Sequence, residues 1–354
     1  MRRGVLHHVL VATVVAVLVG CVGRSDEQDG GCASRNTDAR DLKGVFDAMA
    51  SSSASASPSS SASGATRPPA RERARVPGPC VASSGTPAEA ARRLGKRPAC
   101  RRARVLEHQA EGRVPRYACV FEPSRIAETS PLPLVVFLHG AYDDPTAVHR
   151  QTRFRRRDHE LDLTGDPDHP GFITLAPQAR RIEASLRWDV DHVDRDNADI
   201  VAIRAFVAAL VDEGIVDRRQ IYAVGASRGA TMANLYAYLH PEEVVAFGGF
   251  AAAPAYVWRC GASAPPPPAA MLYRACDAEV PCADIERWLQ ARERTGAATM
   301  SWRLGGASNL EPSCSLSERG CSVRIGKANH RRWPKRREVD LLEYLSRFSF
   351  RGPP

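Results

Sequence analysis

Residues 221–239 read I-Y-A-V-G-A-S-R-G-A-T-M-A-N-L-Y-A-Y-L, and this stretch decides the fold. It has three parts: an apolar, β-like run at Ile221–Val224, a glycine-flanked turn Gly225-Ala226-Ser227-Arg228-Gly229, and a run of helix formers from Ala230 to Leu239. A strand that turns sharply into a helix lifts the serine hydroxyl clear of the sheet, with a helix N-terminus behind it. The glycines permit a turn that a Cβ would obstruct. A glycine-rich loop with an N-capping serine has a similar composition. The flanking strand and helix favour an exposed nucleophile instead, and such a serine needs a neighbouring base to take its proton.

Working outward, strand and helix signals alternate on both sides. Leu132–Leu138 (L-P-L-V-V-F-L) and Phe172–Ala176 (F-I-T-L-A) are short apolar runs typical of buried strands. Ile200, Ile203, Phe206, Val207, Leu210 and Val211 recur at helical spacing, and Gly214 ends that helix. Val244–Phe247 and Ala269–Tyr273 suggest two further strands, and Val339, Leu342, Leu345 and Phe348 form a closing helical stripe. Alternation of this kind predicts an α/β fold, a mostly parallel central sheet flanked by helices in a single catalytic domain over residues 99–354.

The N-terminal third has another character. Arg2 and Arg3 precede an apolar run from Val9 to Val19, too short to span a bilayer comfortably, which ends in Leu18-Val19-Gly20-Cys21. That tetrapeptide resembles the bacterial lipobox. The resemblance implies a signal peptide over residues 1–20, lipidation at Cys21, and an exported cell-envelope lipoprotein held to the membrane by its lipid. Residues 21–98 are rich in Ser, Pro and Arg, with S-S-S-A-S-A-S-P-S-S-S-A-S-G at 51–64, and read as a flexible tether. Of the 49 basic residues 14 lie in the first 100 positions, against 8 of the 40 acidic ones. The first 100 residues therefore carry +6 of the +9 net charge, which argues against a nucleic-acid surface on the folded part.

Ten cysteines suit an exported protein. With Cys21 lipidated and Cys32 in the tether, eight remain: Cys80, Cys100, Cys119, Cys260, Cys276, Cys282, Cys314 and Cys321. The close pairs Cys276 with Cys282 and Cys314 with Cys321 are the expected bridges, bracing the loops around the acid and base considered next. No C-x-x-C pair or H-x-x-x-H spacing occurs, so no metal and no cofactor are expected. The aspartates 189, 191, 194, 196 and 199 lack the glycine and glutamate of a calcium loop and read as a solvated loop.

Downstream of Ser227, Ala275-Cys276-Asp277-Ala278-Glu279-Val280-Pro281 follows a strand-like run, and Gly326-Lys327-Ala328-Asn329-His330-Arg331-Arg332-Trp333-Pro334 follows the β-like Val323-Arg324-Ile325. Upstream stands Leu138-His139-Gly140-Ala141. Together with Gln151-Thr152-Arg153-Phe154, Ala176-Pro177-Gln178, Trp188-Asp189 and Asn197-Ala198-Asp199, these segments resemble the poly(3-hydroxybutyrate) depolymerase and feruloyl-esterase-like family of α/β-hydrolases. The resemblance spans about Tyr117 to Phe348. It implies Ser227 as nucleophile, His330 as base and Asp277 as acid, with Asp284 and Glu279 as alternative carboxylates. It also implies an oxyanion hole from the N–H groups of Arg228 and Ala141, with Tyr142 second, and a supporting rather than catalytic role for His139. Departures are Tyr273-Arg274 in place of the family's H-G, Asn329 in place of its second glycine, and Ala230 where another glycine is common. The flanking cysteines of the fungal-type feruloyl esterases are absent.

The implied activity is hydrolysis of carboxylic esters, small or polymeric, through an acyl-enzyme. A serine peptidase of the prolyl-oligopeptidase type and a catalytically silent envelope binding protein share the fold and remain alternatives. The basic residues Arg331, Arg332, Lys335, Arg336 and Arg337 read as a solvated face that could also favour an anionic substrate.

Overall fold

The computed structural model describes residues 96–351 except 111–113, 125–130, 155–160, 162, 165–169, 183–184, 253–265, 306–313, 315–320 and 336. The signal peptide, Cys21, residues 21–95 of the expected tether, and Cys32, Cys80 and Cys260 lie outside the described residues. Residues 96–98, placed in the tether by the sequence, lie against the fold, the Lys96 carbonyl accepting from Gln178 Nε2 at 3.0 Å.

Eight strands form one sheet: β1 (Arg104–Ala110), β2 (Val114–Phe121), β3 (Leu132–Leu138), β4 (Ile173–Pro177), β7 (Val216–Ala226), β8 (Ala246–Phe250), β9 (Ala269–Arg274) and β10 (Thr299–Leu304). Their spatial order is β1-β2-β4-β3-β7-β8-β9-β10. β1 and β2 pair antiparallel with each other, β2 pairs antiparallel with β4, and every later pairing is parallel. A small separate hairpin, β5 (Arg181–Ile182) with β6 (Ser185–Leu186), follows β4. The helices are α1 (Ala147–Gln151), α2 (Ala198–Asp212), α3 (Arg228–Leu239), α4 (Cys282–Arg294), α5 (Val323–Arg331) and α6 (Glu338–Ser346). The fold is an α/β-hydrolase fold.

β3 explains why the sheet is covered on both sides. All seven of its residues are buried, the run of a strand with helices on each face. Leu134, Val136 and Leu138 enter one core with Ile203, Phe206, Met232 and Leu235 of α2 and α3. Val135 and Phe137 enter the other with Phe154, Leu341 and Leu345. Pro133 has no N–H for the ladder, and the β3–β7 register breaks between Leu132 and Leu134 before resuming at Leu134↔Ile221.

Local signals set the ends of α2. Asn197 caps it, its side chain accepting from Asp199 N and Ile200 N, and Gly214 leaves it at φ +75°. The aspartates expected in a solvated loop divide. Asp199 is fully buried and paired with Arg116 at 2.6 Å and Arg180 at 3.2 Å. Asp191 and Asp196 stay at the surface.

Two expectations are corrected. The run Val323–Ile325 is the first turn of α5, not a strand: Ser322 caps it, accepting from Ile325 N at 3.3 Å. Val323 is 61% exposed, so its apolar side chain marks no buried strand. The disulfides join Cys276 with Cys321, Cys282 with Cys314 and Cys100 with Cys119. Cys276 lies in the bend two residues past β9 while Cys282 opens α4, and each is paired with a different partner.

Candidate active site

The site lies where the parallel strands end in loops. β7 carries the chain up to Ser227, and α3 begins one residue later. Ser227 adopts φ 51°, ψ −125°, a conformation that costs a non-glycine residue of the order of 1–3 kcal/mol. Backbone bonds hold it there, from Ser227 N to Phe250 O at 2.7 Å and from Ala230 N to Ser227 O at 2.8 Å. The flanking glycines are required by space. A Cβ on Gly225 would lie 2.3 Å from Gly229 O, and one on Gly229 would lie 2.1 Å from Leu138 O.

Asp277 follows β9, 1% exposed. Its Oδ1 accepts from the backbone N–H groups of Glu279 and Val280, both at 2.9 Å, which fixes the carboxylate. His330 stands in the last turn of α5. Its Nδ1 lies 2.9 Å and 3.1 Å from the two Asp277 oxygens, and its Nε2 lies 2.8 Å from Ser227 Oγ. In the tautomer with the proton on Nδ1, the ring donates to Asp277 and accepts from the serine hydroxyl. The other carboxylates weighed from the sequence stand elsewhere: Asp284 pairs with Arg287 in the first turns of α4, and Glu279 lines the cleft beside Asp277.

The loop after β3 supplies backbone donors. Tyr142 is not one of them: its N–H bonds Leu186 O at 2.9 Å, which corrects the expectation of Tyr142 as second donor. Among the described residues Ala141 N–H makes no such backbone bond, and Arg228 N–H is the first of α3, a position with no helical acceptor. Both residues' neighbours line a cleft of about 360 Å3 with Ser227, His330, Phe250 and Val280. The Arg228 side chain turns away, donating from Nε to Trp188 O at 2.6 Å and pairing with Asp191 at 2.7 Å.

His139 braces this loop. It is fully buried, its Nε2 accepts from Ala179 N at 3.2 Å, and its Nδ1 lies 2.8 Å from Gly140 O. Burial lowers its pKa from the ordinary 6.5, so the neutral ring is favoured, donating from Nδ1. Its own carbonyl accepts from Trp188 Nε1 at 2.8 Å. Below the site, Trp333 packs edge-on against Phe137, Phe154 and Phe250 and donates from Nε1 to the buried Glu338 at 3.1 Å. Glu338 also accepts from Arg153 N, at 2.9 Å and 3.1 Å. Sequence reading found Trp333 but not Glu338, whose place at the start of α6 looks like any surface acid.

Two clusters among the described residues have metal-ligand composition. In one, Cys282 and Cys314 are joined to each other beside Glu286, which leaves no thiolate. In the other, His240 with Glu242 and Glu243, the carboxylates pair with Arg195 and Arg204.

No family model matches the chain, and no curated protein matches it. Solved structures do. A thermostable esterase shares 18% identity over 69% of this chain and 63% of its own, with a TM-score of 0.44. This chain thus spans less than two thirds of that esterase. An esterase from the Planctomycetes species Thermogutta terrifontis shares 19% over 62% of this chain and 87% of its own, TM-score 0.44. An S-formylglutathione hydrolase from Agrobacterium tumefaciens shares 15% over 68% of this chain and 93% of its own, TM-score 0.46.

Proposed function

We propose that this protein is a serine hydrolase of carboxylic esters. The observation that carries the reading is the continuous chain Ser227 Oγ–His330 Nε2–His330 Nδ1–Asp277, at 2.8 Å and 2.9 Å. Ser227 Oγ bonds to the ester carbonyl carbon as its proton passes to His330 Nε2. Asp277 holds the ring and stabilises the imidazolium. The negative oxygen that forms meets the N–H groups of Ala141 and Arg228. Collapse breaks the ester C–O bond, and His330 returns the proton to the leaving alcohol. Water then repeats the sequence on the acyl-serine, releasing the acid. A cleft of about 360 Å3 accommodates a short acyl or alcohol group. The L-H-G loop and the Trp333-Pro334 pair after His330 support the finer reading, a polyester-depolymerase or feruloyl-esterase-like enzyme.

Ser227→Ala is expected to retain less than about a hundredth of the wild-type rate on short-chain aryl esters with the fold intact. A variant that keeps more would overturn the assignment. A parallel panel of peptide anilides is expected to show no turnover, and cleavage there with ester hydrolysis absent would make the enzyme a peptidase.

The lipobox-like segment supports a cell-envelope lipoprotein anchored through Cys21. In a bacterial host the chain is expected in the membrane fraction and its Cys21→Ser variant in the soluble fraction. Identical fractionation of the two counts against lipidation.

A further inference from the structure

A second and larger concavity, of about 730 Å3, stands beside the catalytic cleft. Lys96, Arg97 and Arg101 line it from the segment leading into β1, and Arg181 lines it from the β5–β6 hairpin. All four side chains are exposed, and none forms an ion pair within the described fold. Arg150 also lines the cleft, but it is paired with Asp143 at 2.9 Å and with Asp144 at 3.4 Å. Asp144 is held in its charged form by its hydrogen bonds from Thr146 and by Arg150, which together outweigh its burial and lower its pKa. The Arg150 and Asp144 charges therefore largely cancel, and the four unpaired cations set the sign of the cleft.

The two clefts adjoin at the loop after β3. Tyr142 and Asp143 line the catalytic cleft, while the next residue, Asp144, lines the basic one. Tyr142 N–H bonds the carbonyl of Leu186, another wall residue of the basic cleft. A chain seated at Ser227 therefore meets the basic cleft on leaving past Tyr142. The Tyr142 ring is 82% exposed at this junction, a platform on which a sugar ring can lie.

We propose that the basic cleft is a binding site for an acidic polysaccharide, a chain bearing several carboxylates or sulfates, whose ester is presented to Ser227. The cations arise from two segments, 96–101 and the β5–β6 hairpin, across a cleft of about 730 Å3, a span that suits charges spaced along a chain better than a single phosphate. They line a hollow rather than a convex face, which fits a chain better than a flat anionic bilayer. The role in presenting an ester rests on the hydrolase reading; binding of the chain does not.

The test uses the full chain carrying Ser227→Ala, titrated calorimetrically with an oligogalacturonate. Binding is expected, weakening as salt rises. Replacing Arg97→Gln and Arg181→Gln should weaken it about tenfold, as loss of two charge contacts does. The control Arg218→Gln with Arg294→Gln, two exposed cations outside the cleft, should bind as before. A neutral malto-oligosaccharide of equal length and a polyglutamate peptide should bind at least tenfold more weakly. Absent binding, equal weakening by the control pair, or equal binding of polyglutamate or of phosphatidylglycerol vesicles overturns the proposal. With Ser227 intact, the Arg97/Arg181 variant should hydrolyse a neutral aryl ester at the wild-type rate. If no variant hydrolyses that ester while the oligogalacturonate still binds, the hydrolase reading fails and the binding site stands.

Discussion

Asn329 donates from Nδ2 to the carbonyl oxygen of Cys276 at 2.9 Å. The residue before His330 is thereby joined to the residue before Asp277. Nearby, Gly326 lies so close to the acid loop that a Cβ placed on it would sit 2.7 Å from Ala278 Cβ and 2.8 Å from Ala278 N. α5 is thus seated directly on the loop that holds the carboxylate, and Asn329, itself in helical backbone, fastens the two together.

The seating predicts a conflict at Gly326. Alanine in mid-helix ordinarily stabilises by about 1 kcal/mol over glycine. Here the contact with Ala278 opposes that gain, because part of it is with backbone, which cannot rotate aside. Gly326→Ala should lower kcat on an aryl ester by about tenfold or more, with KM little changed, since α5 must shift relative to Asp277. Asn329→Ala removes the hydrogen bond without placing a glycine in the helix and should cost less. Steady-state kinetics with circular dichroism on both variants checks this, and a Gly326→Ala enzyme of wild-type kcat would show that the loop does not set the position of His330.

The Cys276–Cys321 bridge ties the same two segments covalently, one cysteine preceding Asp277 and the other preceding α5. Its sequence separation of 45 corresponds to about 4 kcal/mol in the chain-entropy model, against about 3 kcal/mol for the separation of 19 at Cys100–Cys119. Replacing either pair by serine should therefore lower Tm. Only the Cys276→Ser/Cys321→Ser variant should also lose activity while still folded, at a temperature well below its Tm. Equal specific activity of the two folded variants would reduce the bridge to a purely stabilising one.

What the sequence disclosed follows from how local each cause is. At Gly225 the turn is dictated by sterics within five residues, whereas Gly229 is required by Leu138 on the neighbouring strand. β3, β4, β8, β9 and the Ile221–Ala226 half of β7 are buried runs whose apolar character needs no context, while the Val216–Gln220 half of β7 is mostly polar and gives no such signal. β1 and β10 carry no apolar run, because edge strands alternate polar residues, as in R-V-L-E-H-Q-A and T-M-S-W-R-L. The start of α5 resembled a strand because Val323 and Ile325 flank a polar residue, and the cap at Ser322 decides otherwise. Cysteine pairing depends on how β9, α4 and α5 meet, which spacing along the chain does not encode. The placements of Ser227, Asp277 and His330 were reached from motif offsets. The loss of Tyr142 N–H to Leu186 needed the β5–β6 hairpin, which no sequence signal had marked.

Asp199 is the strongest case of a polar residue whose surroundings invert its apparent role. It is fully buried in the first turn of α2, between two arginines that are themselves 4% exposed. It accepts from Arg116 at 2.6 Å and from Asp189 N at 2.8 Å, with Arg180 Nε 3.2 Å away. Removing one partner of such a group leaves buried charge uncompensated, which costs about 3–5 kcal/mol. Asp199→Ala should lose that much in urea denaturation. The loss should also reach the oxyanion loop, because Asp189 adjoins Trp188, and Trp188 donates to His139 O. Asp199→Asn retains an acceptor and should lose less. The desolvation cost of the ions themselves sets a second expectation: Arg116→Met with Asp199→Leu, which leaves Arg180 paired with Asp189 at 3.0 Å, should recover much of the stability that Asp199→Ala loses. A loss below about 1 kcal/mol for Asp199→Ala, the value of a solvated pair, would show that water reaches this cluster in solution.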